Sequence, residues 1–191
     1  MLIQRLTSSG IAHARLLLRP PRRIEVILPA GRSRSFLTAL LTETGSVTLQ
    51  DSKTVALPLG AAIPGARYPI LAPNTDVTAN ATQIGRDPLG RWVVDFALHG
   101  KAAARVSAIA ATQIGQYMAV ALDGRVNNDP EIASAIPIAA FEVLFPPQPN
   151  ETGPGPDPMV QAHERAQEFF VALRYGPLPT PLMAVAPPRS V

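Results

Sequence analysis

The period of apolar and polar positions changes several times along the chain, and each change marks an element. Leu2, Ile3 and Leu6, followed by Gly10, fit a short amphipathic helix closed by a glycine. Ile11 to Arg19 and Arg22 to Leu28 read as two β-type runs divided by Pro20-Pro21, with Ile24, Val26 and Leu28 alternating in the second. Phe36, Leu37, Leu40 and Leu41 recur at helical spacing, between Ser33 or Ser35 as a cap and Gly45 as a stop. Val47 to Gln50 predicts one more strand. Residues 51–73 then lose all periodicity and carry Pro58, Pro64, Pro69 and Pro73, so they read as an irregular connection.

A second set of elements follows. After a turn at Asp87-Pro-Leu-Gly90, Trp92 to Leu98 alternates as a strand, with Asp95 on the side opposite Val94 and Phe96. Gly100 opens a helix over Lys101 to Thr112, whose apolar face is Ala103, Val106 and Ile109 or Ala110, and Gly115 ends it. Tyr117 to Leu122 is the next strand. Asp123-Gly124 after it is the strongest hairpin signal in the chain, because a type I′ turn needs positive φ at both central residues. A loop with spaced isoleucines (Ile132, Ile136, Ile138) leads to a strand from Ala140 to Phe145. Residues 146–158 hold six prolines and predict an exposed connection. Met159 to Arg174 is the clearest helix, ended by Gly176 and Pro177, and Leu182 to Ala186 can add a last strand.

This order predicts an α+β protein of two units, the second inserted between two parts of the first. The chain has 191 residues, enough for a core that needs no staples, and no cysteine, which removes disulfides, thiolate metal sites and thiol nucleophiles together. Charge changes the picture more than the total of +3 suggests. Residues 1–35 hold seven arginines against Glu25 alone, so that end is +6 and the remainder is −3. Arg15, Arg19, Arg22 and Arg23 can dock on an anionic membrane surface or an acidic partner, or they can be the solvated face of an edge hairpin. No aromatics are interleaved for base stacking, so nucleic acid is not an expected partner. The apolar runs fall well short of the ~20 residues needed to cross a bilayer, and the first ten residues lack the apolar core of a secretory signal. The expectation is a protein soluble where it is made, with the cytoplasm left open, or a piece of something larger.

Residue chemistry argues against an enzyme. His13, His99 and His163 fall on three different elements, without a second ligand at metal spacing. Asp95 and Asp123 could form a carboxylate pair on adjacent strands, though a solvated strand face and a turn residue explain them far better. A hydrolase reading has only residue types in its favour. Neither a nucleophile elbow nor a phosphate-cradling glycine loop occurs, and no cofactor or small-molecule substrate is expected.

From Trp92-Val-Val-Asp-Phe-Ala-Leu-His-Gly-Lys-Ala-Ala-Ala-Arg-Val106, through Met118-Ala-Val-Ala-Leu-Asp-Gly-Arg-Val126 and Asp129-Pro-Glu-Ile-Ala-Ser-Ala-Ile136, the chain resembles the large periplasmic domain of the SecD family. Glu164 to Leu182 is similar to that family's last helix and its Leu-Arg-x-Gly-x-Leu-Pro-x-Pro-Leu exit. Arg5 to Gly10 and Arg23 to Pro29 resemble its base. The resemblance implies a ferredoxin-like base over residues 1–60 and 159–187 carrying an inserted α+β head over 73–157, on the extracytoplasmic face of a bacterial membrane. It implies a non-enzymatic role in protein transport, binding extended polypeptide or assisting export. The alternative is an accessory structural subunit of a membrane-associated complex that has reused the domain. An unfolded chain needs exposed apolar surface or an open strand edge, and the candidates are Tyr117, Ile132, Ile136, Ile138, Phe141, Leu144 and Phe145. The family's first strand, its six transmembrane helices and the proton-relay carboxylates within them have no counterpart in this sequence. A proline loop at 146–158 stands in place of the family's glycine-rich segment.

Overall fold

A computed structural model describes residues 1–28, 34–64, 67–135, 140–148, 157–180 and 182–184. The chain is α+β and divides into two units, Met1–Thr44 with Leu178–Val191, and Gly45–Pro177.

In the smaller unit α1 (Leu2–Ser8) packs against α2 (Arg34–Thr42), and between them runs a hairpin of β1 (Arg15–Arg19) and β2 (Arg23–Ile27). This α-β-β-α run is the central part of the ferredoxin-like β-α-β-β-α-β order. Among the described residues Leu6, Ile11, Phe36, Leu40 and Leu178 are its buried apolar residues. Arg5 is buried with them at 2% exposure. Its guanidinium donates to the carbonyls of Leu40 (3.5 Å), Glu43 (3.0 Å) and Thr44 (2.9 Å), at the end of α2 where carbonyls lack partners within the helix. A cation there also complements the helix dipole.

Among the described residues the larger unit contains two antiparallel sheets. One has the order β4-β3-β7-β8, from β3 (Val47–Lys53), β4 (Ile70–Pro73), β7 (Tyr117–Leu122) and β8 (Arg125–Asn128). The other has the order β5-β6-β9, from β5 (Gln83–Arg86), β6 (Trp92–Ala97) and β9 (Ala140–Phe145). Two helices, α3 (Gly100–Thr112) and α4 (Pro158–Tyr175), share one core with both sheets. That core joins Val47 and Leu49, Val94 and Phe96, Val106 and Ala110, Met118 and Val120, and Phe169 and Leu173. On β7 the other face carries Ala119 and Ala121, which pack with Ile63, Tyr68 and Val126. Buried on both sides, β7 reads as a continuous apolar run rather than an alternation.

Four features differ from the sequence expectation. The units divide at Thr44/Gly45 and Pro177/Leu178, not near residues 60 and 159, because β3 and α4 contribute side chains to the larger core. Strand β3 runs on to Lys53 and β4 forms within the stretch expected to be irregular. The polar residues Asp51 and Ser52 hid that extension, yet both are buried, and the Ser52 hydroxyl donates to Asp129 at 2.8 Å. Strand β5 was invisible because Ile84 is its only large apolar residue. Of the last expected strand, Leu182–Ala184 forms none, and Val185 and Ala186 lie outside the described residues.

The Asp123-Gly124 turn is as expected, with φ of 49° and 74°. Nothing lies within 4 Å of a Cβ built on Gly124, so a side chain there meets backbone strain alone. Gly124→Ala should therefore cost about 1–2 kcal/mol in chemical denaturation, with the fold retained.

Candidate polypeptide-binding surface

The expected apolar contacts separate into distinct environments. Phe141, Leu144 and Phe145 lie on β9, which among the described residues pairs with β6 alone. Phe145 is 1% exposed and packs its ring 5.6 Å from that of Phe169, so it is a core residue. Phe141 is half-buried, stacked on Phe96 at 5.1 Å, and Leu144, three residues later, is also half-buried. Ile132 is 4% exposed and belongs to the same core, with its backbone bonded to Gln116 and Gly115. Burial of Ile132 and Phe145 removes both as surface contacts. Tyr117 begins β7 in the other sheet, half-buried, opposite Lys53 and bridged to Glu131. Ile136 and Ile138 lie outside the described residues. The structure thus places Phe141 and Leu144 on opposite faces of one strand, Phe141 on the core side with Val143 and Phe145, and Tyr117 on a different sheet.

Beside β9 the edge is partly engaged, because Asn128 donates its side-chain amide to the Leu144 carbonyl at 3.0 Å. Ala140 and Glu142 on the same strand are exposed. Glu142 stands opposite Asp95 in the β6 register, so two carboxylates share one exposed stretch of this sheet. Asp123 does not join them. Its carboxylate accepts from the backbone N–H groups of Gly45 (3.1 Å) and Ser46 (2.7 Å), a structural role in the β7–β8 turn. Among the described residues no group of three His, Cys, Asp or Glu side chains could hold a metal ion.

Sequence reasoning also passed over a layered aromatic site. Trp92 of β6 stacks on His163 of α4 with ring centroids 4.0 Å apart and planes at 16°. The Arg86 guanidinium of β5 covers the Trp92 ring at 4.5 Å. The one signal for it was the single tryptophan with an arginine six residues before it. In the smaller unit Arg15, Arg19, Arg22 and Arg23 are all exposed on one hairpin, and Arg19 pairs with Glu25 at 2.9 Å.

Asp129 is the titratable group most affected by its surroundings. Burial pushes its carboxyl above the usual carboxylate range, against the opposing pull of the Leu57 N–H and the Ser52 hydroxyl, which both donate to it. A raised folded-state value means extra stability when the group is protonated, lost as pH rises through that value.

Comparison with known proteins places these features. The model of the SecDF P1 head subdomain matches residues 69–180, more than half of the chain. A crystal structure of SecDF in its super-membrane-facing form is similar over 94% of this chain, with TM-score 0.63 and 22% identity, and the chain spans 26% of that protein's length. A structure of SecDF, described as a membrane component that enhances protein export, is similar over 100% of this chain and 90% of its own, with TM-score 0.60 and 22% identity. At that identity the likeness is one of fold. No curated protein gives a significant match.

Two outcomes follow from the burial pattern. Phe145→Asp places a charge in the core and should abolish the cooperative unfolding transition seen by circular dichroism. In Asp129→Asn, the variant's stability relative to the parent should improve as pH rises from below the usual carboxylate value of ~3.9 to neutrality, measured by urea unfolding at each pH.

Proposed function

The chain belongs to the SecDF P1 head-subdomain family, and from that premise we propose that its larger unit holds extended polypeptide along the outer edge of β9. It is a SecD-like domain related to protein export, in a family whose partners include the proteins of translocation. The observation that carries the proposal is the one-sided pairing of β9 among the described residues. An edge strand offers N–H and C=O groups to an incoming chain, which gives affinity that is indifferent to client sequence. Half-buried Phe141 and Leu144, on opposite faces of the strand, supply shallow apolar contacts for client side chains on either side. Exposed Glu142 keeps the edge soluble when it is empty. Holding of this kind uses no nucleotide and no bond-making step. The domain would act on the extracytoplasmic side, where SecD-type domains face emerging chains. Among the described residues no helix is long and apolar enough to cross a membrane.

The test separates backbone pairing from general stickiness. An extended peptide from an unfolded client should bind the full chain and slow that client's aggregation. The same peptide N-methylated at alternate residues loses two or three donors, each worth ~0.5–1.5 kcal/mol, and should bind about tenfold more weakly. Equal binding of both peptides would remove β9 addition from consideration. Absence of any client effect, together with one stoichiometric partner recovered from native membranes, would establish the structural-subunit role instead.

A further inference from the structure

The β1–β2 hairpin is exposed on nearly every residue, and its two faces differ in chemistry. The register pairs Leu16 with Val26 and Leu18 with Ile24, so one face is apolar throughout. Residues Leu16, Ile24 and Val26 are half-buried, whereas Leu18, toward the tip, is 82% exposed. The opposite face carries Arg15, Leu17 and Arg19 across from Ile27, Glu25 and Arg23. Arg22 adds a further cation in the Pro20–Arg22 turn, so residues 15–27 hold four arginines against Glu25 alone. The stretch from Leu18 to Ile24 borders an open depression at this end of the hairpin.

We propose that this hairpin tip seats on an anionic bilayer surface, with Leu18 entering the acyl boundary and Arg19, Arg22 and Arg23 meeting lipid phosphates. Charge complementarity selects the partner. A net positive ribbon end is drawn to anionic headgroups, and an arginine side chain can keep its charge at phosphate level while its stem lies along apolar material. An exposed leucine set among arginines gains from an interface that is apolar on one side and anionic on the other. An acidic protein face would satisfy the arginines but leave Leu18 without a role. The proposal does not depend on polypeptide holding at β9, since the residues involved all lie in the smaller unit.

Co-sedimentation of the full chain with vesicles tests it. Binding is expected to vesicles of phosphatidylglycerol mixed with phosphatidylcholine and not to phosphatidylcholine alone. It should weaken as salt is raised from 0.1 to 1 M, where the screening length falls from ~10 to ~3 Å. Arg22→Glu with Arg23→Glu should lower binding about tenfold or more. Leu18→Ser should lower it by about tenfold, and Leu18→Trp should raise it, with added fluorescence shifted to the blue on vesicles. Lys101→Glu, which changes exposed charge in the larger unit, should leave binding unaltered. Circular dichroism checks that each variant is folded. Failure to bind anionic vesicles, or an equal loss in Lys101→Glu, would overturn the proposal. Dependence on the arginines with indifference to Leu18 would also overturn it, leaving a purely electrostatic contact with no apolar insertion.

Discussion

One asparagine side chain ties three backbone groups of the larger unit together, two at the entry into β3 and one at the end of α4. Asn74 accepts from the Val47 N–H through its Oδ1 and donates through Nδ2 to the carbonyls of Gly45 (3.3 Å) and Ala172 (2.9 Å). These atoms belong to the entry into β3 and the last turn of α4, which meet far apart in sequence. Burying a polar backbone group without a partner costs on the order of 1–3 kcal/mol, so the entry into β3 depends on this amide being correctly oriented, while the Ala172 carbonyl also accepts from the Gly176 N–H at 3.0 Å. Asp123 reinforces the same entry from the other side through Gly45 and Ser46. Placement of β3 then fixes β7 by register, and β7 brings its two apolar faces to the two hydrophobic clusters.

Most elements were legible in the sequence because their apolar periods are long and bounded by glycine or proline. Helix α4 shows this well, with Asp157 accepting from Met159 N–H, proline in its first turn and Gly176 at φ 70° after it. The type I′ turn was legible for the same reason: Asp-Gly has few alternatives. Where local signals failed, tertiary partners made the decision. Strand β5 has one large apolar residue and exists because β6 and α4 pack on it. The end of β3 is polar in sequence and buried in the fold because Asp129, more than seventy residues later, receives Ser52. No local period carries that information.

The candidate site was legible by region and not by residue. The sequence identified the strand from Ala140 to Phe145, and alternation groups Phe141 with Phe145 and sets Leu144 on the other face, yet it could not say which face meets the core. Two sheets and two helices share that core, and Phe145 is drawn in by Phe169, a partner on α4. Ile132 was drawn in likewise, since its backbone bonds to Gln116 and Gly115 hold it against β7. For the arginines the sequence said that they cluster. Their cross-strand register, and with it the separation of an apolar from a cationic face, came only with the hairpin pairing.

Leu178 donates its N–H to the Thr44 carbonyl at 2.6 Å, so the chain leaves the smaller unit and returns to it at a single hydrogen bond. Everything from Gly45 to Pro177 is, to the smaller unit, one loop whose ends already touch. Closing a loop costs an entropy that grows only with the logarithm of its length. The larger unit is therefore a cassette: evolution can lengthen it, trim it or exchange it while the smaller unit keeps the same two attachment points.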